Sequence, residues 1–202
     1  TDPKNIWMEG IGLIGLGANA KAASIAGDLV VQNARVRAIG EDAGGFRPIS
    51  EKDLFDCEYW SLEQAKLGKG APPKFQGKIV MITGGSGTIG FAIAKAFSKL
   101  GAQTILVDKD EIALKESVTK LGVGHKYFPI DVTHSDAANQ ALLAAINNFG
   151  GLDILISNAG AAHAGPMLDI SNEELRNAFE LNFFSHYSFS MEAAKILKDQ
   201  NR

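Results

Sequence analysis

A doubly wound parallel α/β sheet is the fold class this sequence predicts, on three observations. From Lys78 onward, apolar runs of strand length alternate with amphipathic segments of helix length, the pattern of parallel strands joined by crossover helices. The first run, Lys78 to Ile82, leads into Thr83-Gly84-Gly85-Ser86-Gly87-Thr88-Ile89-Gly90, a glycine turn that opens a helical segment. Asp108 ends the second run, 18 residues beyond Gly90. Gly85, Gly87 and Gly90 satisfy G-x-G-x-x-G, and the strand before, the helix after and the acid at the next strand tip separate the match from chance.

Strands are expected near 78–83, 103–108, 126–130 and 153–157, with helices near 89–100, 110–120 and 135–148. Ile89, Ala92, Ile93, Ala96, Phe97 and Leu100 recur at helical spacing and would seat the first of these helices on the sheet. Ala138, Leu142, Ala145, Ile146 and Phe149 form a similar core stripe on the third. Ser171-Asn172-Glu173-Glu174 reads as a capping box and precedes a long helical stretch ending near Lys198. In the usual winding the four strands take the order 3-2-1-4, an incomplete Rossmann-type sheet whose fourth strand is an open edge. Phe179, Phe183, Tyr187, Met191 and Ala194 fall at spacings of four, four, four and three. That apolar stripe either packs on the sheet or pairs with a second copy, and with the open edge it points to a homo-oligomer.

Residues 68–77, with two prolines and three glycines, mark a linker between residues 1–67 and the α/β segment at 78–202. The first segment is expected to be mainly helical. Gly10-Ile11-Gly12-Leu13-Ile14-Gly15 also matches G-x-G-x-x-G, but Leu13 and Ile14 fall inside the supposed loop, and Asp28 lies within the helix that follows. It is better explained as a glycine-rich strand feeding a packed helix over Ala20 to Asn33, with Ala22, Ile25, Ala26 and Leu29 on one face. A further helix is expected from Ser50, with Asp53 at the capping position, through Leu54, Tyr59 and Trp60 to Leu67.

Composition excludes several classes. With 46% hydrophobic and 21% charged residues the chain is globular rather than a tail or a fibre. A net charge of −3 gives no electrostatic footprint for nucleic acid, and no basic cluster suggests a membrane surface. One cysteine, Cys57, precludes an internal disulfide framework and fits a reducing cytoplasm. No apolar run approaches the roughly 20 residues of a membrane span.

The glycine turn reads as a nucleotide cradle. Glycines there permit positive φ and let backbone N–H groups approach a pyrophosphate. The helix that follows presents unpaired N–H groups and about half a positive elementary charge. Asp108 can accept both hydroxyls of an adenosine ribose and repels a 2′-phosphate, which favours NAD over NADP, with Lys109 beside it acting in the opposite sense.

Phe75-x-Gly77-Lys78, the glycine turn, Asp108, Asp131-Val132, Asn158-Ala159-Gly160 and Leu181-Asn182 occur in an order that resembles the short-chain dehydrogenase/reductase family over about residues 75–202. The resemblance implies that Gly84, Ser86, Gly87, Ile89 and Gly90 surround the pyrophosphate and that Asp108 holds the adenine ribose. It implies that Asp131 and Val132 contact adenine, and that Asn158, Ala159 and Gly160 line the floor beneath the nicotinamide-side ribose. Asn182 would be the active-site Asn that helps hold a water in a proton relay. Thr88 departs from the family pattern, standing where a glycine is usual, and Gly87 sits one place earlier, as in the sugar-nucleotide-modifying branch.

The family's chemistry also uses a Tyr and a Lys one helical turn apart. Tyr59, Tyr127 and Tyr187 are followed four places on by Glu63, Asp131 and Met191, so no Tyr-x-x-x-Lys occurs among the 202 residues. The expectation is a chain that ends before the catalytic Ser, Tyr and Lys and binds a dinucleotide without turnover, its parent acting on a small alcohol or aldehyde. A non-catalytic dinucleotide-binding module and a sugar-nucleotide epimerase or dehydratase remain the alternatives. Residues 1–67, through Gly10 to Ala23 and Tyr59-Trp60-Ser61-Leu62-Glu63-Gln64-Ala65-Lys66, resemble the C-terminal end of a class II aldolase domain. Such domains precede a dehydrogenase in bifunctional rhamnulose-phosphate aldolase/alcohol dehydrogenases. Aldolases of that class hold a metal with histidines, yet none precedes His125, and His125, His134, His163 and His186 show no ligand spacing. Neither a metal site nor aldolase activity is expected.

Overall fold

The computed structural model describes residues 3–58, 72–162, 165, 166 and 168–200. The chain divides into two compact units, Thr1–Pro72 and Pro73–Arg202. Tyr59, Trp60 and the rest of the helix expected to reach Leu67, residues 68–71 of the linker, and His163 lie outside the described residues.

In the first unit, β1 (Asn5–Met8) and β2 (Gly12–Gly15) pair as an antiparallel hairpin. Helix α1 (Ala20–Asp42) follows, its start capped by Asn19, whose side chain accepts from the Ala22 N–H at 2.9 Å. The second G-x-G-x-x-G is therefore a hairpin and not a cradle. Its last glycine, Gly15, lies against the backbone of Ala23 and Gly27, where a Cβ has no room. Helix α1 is longer than the sequence suggests, and its expected face is poorly covered, with Ile25 50% and Leu29 60% exposed while Val30 is buried. The cause is size: at about 1.5 Å per residue a helix of 23 residues outruns a hairpin of four-residue strands. Helix α2 (Glu51–Glu58) is preceded by Ser50, whose hydroxyl accepts from the Asp53 N–H at 3.1 Å and donates to the Asp53 carboxylate at 2.7 Å.

In the second unit, β3 (Ile79–Thr83), β4 (Gln103–Asp108), β5 (Lys126–Pro129) and β6 (Ile154–Ile156) form a parallel sheet in the order β5-β4-β3-β6. This is the 3-2-1-4 winding read from the sequence. The apolar runs are continuous because both faces are covered. Ile79, Met81, Ile105 and Val107 face α5 (Ala137–Phe149) and α7 (Ser185–Asp199), packing with Ala141, Leu142, Ala145 and Phe189. Val80, Ile82 and Leu106 face the other way, with Ala94 of α3 (Thr88–Lys99) and Leu114 of α4 (Glu111–Leu121). Met81, Ile82, Ile105 and Leu106 are fully buried, each contributing about 1.5–3 kcal/mol of burial energy.

Helix α3 is rotated from its expected setting. Ile93 and Phe97 pack on the core, but Ile89 is 68% and Leu100 42% exposed, and Ala92 and Ala96 are exposed as well. Small Gly90 and Ala94 lie inward instead, and their size lets the helix approach the turn closely. The last helical stretch is one run in three parts: α6 (Asn172–Phe179), a π-helical segment at Glu180–Phe184, and α7. The Ser171–Glu174 capping box is formed at its start. Phe179, Phe183, Tyr187 and Met191 are each 45–59% exposed, so the stripe faces away from the sheet.

His125 is a packing histidine. Its Nδ1 accepts from the Thr104 N–H at 3.1 Å, which leaves the proton on Nε2 to donate to Ser98 Oγ at 3.0 Å. Burial pushes its pKa below the ordinary value. The unfolded chain therefore binds a proton that the folded one does not, and this stability is present above pH about 6.5 and lost as pH falls below it. Urea unfolding should show a drop of at most about 1.4 kcal/mol per pH unit from this group, and a pH-independent midpoint between pH 7.5 and 5 would contradict it.

Candidate functional site

The carboxyl ends of β3, β4 and β6 and the start of α3 enclose a cavity of about 780 Å³. Gly84 turns the chain out of β3 at φ +63°. A Cβ on Gly90 would run into the Gly84 carbonyl and lie 3.0 Å from the Gly85 Cα. Turn and helix thus meet backbone to backbone. Gly87, in extended conformation, precedes α3, and no side chain caps that end, in contrast to α4, where the Asp110 side chain accepts from the Ala113 N–H. The first N–H groups of α3 are left for whatever enters the cavity.

The expected site residues converge. Gly84, Gly87, Ile89, Gly90, Asp108, Asp131, Val132, Asn158, Ala159 and Gly160 all line this cavity. Ser86 and Asn182 are not among the lining residues but bond to two that are, Asp108 and Ala161. Ser86 donates to Asp108 Oδ2 from its hydroxyl at 2.6 Å and from its N–H at 3.2 Å. Asn182, in the π-helical segment, accepts from the Ala161 N–H at 3.1 Å and donates to the Ala161 carbonyl at 2.8 Å. Its amide is spent holding the strand β6 exit, and a Cβ on Gly160 would lie 2.8 Å from its Oδ1. His186, one turn on, donates from Nε2 to the Ala159 carbonyl at 2.7 Å.

The floor is tied to the sheet by Thr83 and Asn158. The Thr83 hydroxyl accepts from the N–H groups of Asn158 and Ala159 at 2.9 and 3.0 Å. The Asn158 side chain donates back to the Thr83 carbonyl at 2.9 Å. On the far wall, Asp131 Oδ1 accepts from the Thr133 N–H at 3.0 Å and hydroxyl at 2.7 Å. Those bonds, the backbone one first, hold the Asp131 carboxyl below its usual pKa.

Thr88, Lys109, Ile130, Thr133, Ala161, Asn177, Glu180 and Leu181 also line the cavity. Thr88 and Leu181 belong to the motifs themselves, and Lys109, Ile130, Thr133 and Ala161 adjoin motif residues in sequence, the signal that could have found them. Asn177 and Glu180 had another: they stand five and two residues before Asn182 on the same helical run. Among the described residues no group of three His, Cys, Asp or Glu side chains is placed to hold a metal, and no helix is long and apolar enough to cross a membrane.

Residues 78–202 match the short chain dehydrogenase family, and residues 1–67 match the second domain of class II aldolases. An uncharacterized oxidoreductase of Bacillus subtilis, YuxG, is 30% identical over 99% of this chain, which spans 30% of that protein. General stress protein 39 of the same organism is 37% identical over 64% of this chain and 47% of its own length. The 3-ketoacyl-(acyl-carrier-protein) reductase of Brucella melitensis, solved with NADH, superimposes with a TM-score of 0.61 at 27% identity, covering 62% of this chain and 52% of its own. L-sorbose reductase of Gluconobacter frateurii, solved with NADPH and L-sorbose, gives 0.61 at 27% identity over 64% and 51%.

Proposed function

The chain belongs to the short chain dehydrogenase family through residues 78–202, and on that premise we propose that it binds NAD in the cavity at the ends of β3, β4 and β6. One observation carries this reading: a cavity of about 780 Å³ joins an uncapped helix start, a glycine turn and an acid at the next strand tip. That volume is within the roughly 300–1,000 Å³ of small-ligand sites. The N–H groups around Gly87 and Thr88 would hold the pyrophosphate, the Asp108 carboxylate the adenine ribose, and Asp131 and Val132 the adenine edge. Asn158, Ala159 and Gly160 would support the nicotinamide end, with Asn182 and His186 fixing that segment.

A nicotinamide, when bound, accepts or donates a hydride. Exchange of the matching proton with a small alcohol or aldehyde needs a donor of suitable pKa, and these 202 residues hold no Tyr-x-x-x-Lys pair. This polypeptide by itself is therefore read as a binder of dinucleotide without useful turnover. Residues 1–67, despite their aldolase match, contain no histidine for a metal, and no aldolase chemistry is assigned to them. The exposed stripe at Phe179, Phe183, Tyr187 and Met191 supports pairing with a second copy, which a sedimentation profile of a lone monomer would remove.

Titration calorimetry tests the binding reading directly. NAD should bind saturably and more tightly than NADP, and Asp108→Ala should weaken NAD about tenfold or more, the loss of charge-assisted bonds to the ribose. Tighter binding of NADP by the wild-type chain would refute the Asp108 argument, and steady NAD-dependent oxidation of an alcohol would refute the lack of turnover.

A further inference from the structure

We propose that Ser86 is a positioning residue that holds the Asp108 carboxylate for a ribose hydroxyl and so enforces the preference for a dinucleotide without a 2′-phosphate; this rests on the cavity binding a dinucleotide. Ser86 belongs to the glycine turn, yet it is absent from the cavity lining, and its hydroxyl is committed to Asp108 at 2.6 Å. That distance is in the range of charge-assisted O–H···O⁻ bonds. The Ser86 N–H reaches the same oxygen at 3.2 Å.

An ionised carboxylate offers about four lone-pair sites. Two on Oδ2 are taken by Ser86, and one on Oδ1 by the Lys109 N–H at 2.8 Å, with the Asp110 N–H at 3.5 Å at the limit of a bond. The carboxylate is thus held from both sides, its plane fixed before a ligand arrives, with one lone pair on Oδ1 left to accept a ribose hydroxyl. Among these donors the Ser86 hydroxyl is the one supplied by a side chain. Without it, Oδ2 of Asp108 keeps only the longer bond from the Ser86 N–H at 3.2 Å, and the carboxylate at the strand tip is held less firmly. Ordering the acid would then be charged to binding instead of folding, which lowers affinity. A held carboxylate also cannot swing away from a 2′-phosphate, whereas a loosened one can, with Lys109 on the same wall to receive the phosphate.

The test is calorimetric affinity for NAD and NADP in the wild-type chain, Ser86→Ala, Ser86→Thr, Asp108→Ala and the Ser86→Ala/Asp108→Ala double variant. Ser86→Ala should weaken NAD about tenfold, a bond's worth of affinity, while NADP binds as well as before or better. Ser86→Thr, which keeps the hydroxyl, should restore the NAD-to-NADP ratio, and the double variant should bind NAD no more weakly than Asp108→Ala alone. A purely structural role for Ser86 would weaken both dinucleotides equally. An unmoved ratio in Ser86→Ala, or a further loss of NAD affinity in the double variant, overturns the proposal while leaving the cavity reading intact. A wild-type chain that binds neither dinucleotide overturns both.

Discussion

Gly90→Ala should destabilise the second unit by about 3 kcal/mol or more, the scale of a backbone clash that no side chain can relieve. The added methyl would be driven into the Gly84 carbonyl, with the Gly84 carbonyl carbon 2.9 Å and the Gly85 Cα 3.0 Å away. Both neighbours are main chain, and Gly85 is itself pinned, its N–H donating to the Val107 carbonyl at 3.1 Å. Relief requires α3 to lift off the turn, which uncovers Ala94, Ile93 and Phe97. Urea unfolding followed by far-ultraviolet circular dichroism reads the effect, and a loss below about 1 kcal/mol would mean that the turn is not the tight junction described.

Three residues earlier the outcome should reverse. Gly87→Asp is expected to leave the fold intact and to weaken dinucleotide binding at least about 100-fold, equivalent to about 2.7 kcal/mol. The backbone there has φ −69° and ψ 164°, open to any residue, and a Cβ meets only the Gly84 carbonyl oxygen, at 3.3 Å. A carboxylate at the start of α3 is favoured by the helix dipole. The same carboxylate would occupy the place proposed for the pyrophosphate and repel it. Thermal unfolding and NAD titration of one preparation separate the effects, and unchanged affinity in a folded Gly87→Asp chain would move the site elsewhere.

The sheet was legible because burial on both faces leaves runs such as Ile79 to Ile82 and Ile105 to Val107 apolar at every position. The strand order followed from the winding rule, and the convergence of ten motif residues on one cavity followed from the strand order. Helix rotation was not legible. In α3 both Ile89 and Ile93 suit an apolar stripe, and the close approach of Gly90 to Gly84, a matter of space rather than hydropathy, decides which faces inward. The π-helical turn at Glu180–Phe184 left no periodic trace either, since its aromatic residues keep helical spacing. Asp108 and Ser86 were each marked by motif, but their mutual bond spans 22 residues between a loop and a strand tip, and no local pattern encodes a contact of that kind.

The Thr83 hydroxyl brings together groups 75 and 76 residues apart in the chain. Closing a loop of that length costs entropy before any contact within it repays the cost, and non-local closures of this kind are the slow part of folding. A chain that has paired β3 with β4 already owns the glycine turn and Asp108, yet it lacks the floor proposed for the nicotinamide end until β6 arrives beside Thr83. If the proposed binding holds, ligand competence is a clock: it should start only when β6 has docked, and dinucleotide binding during refolding would time that arrival.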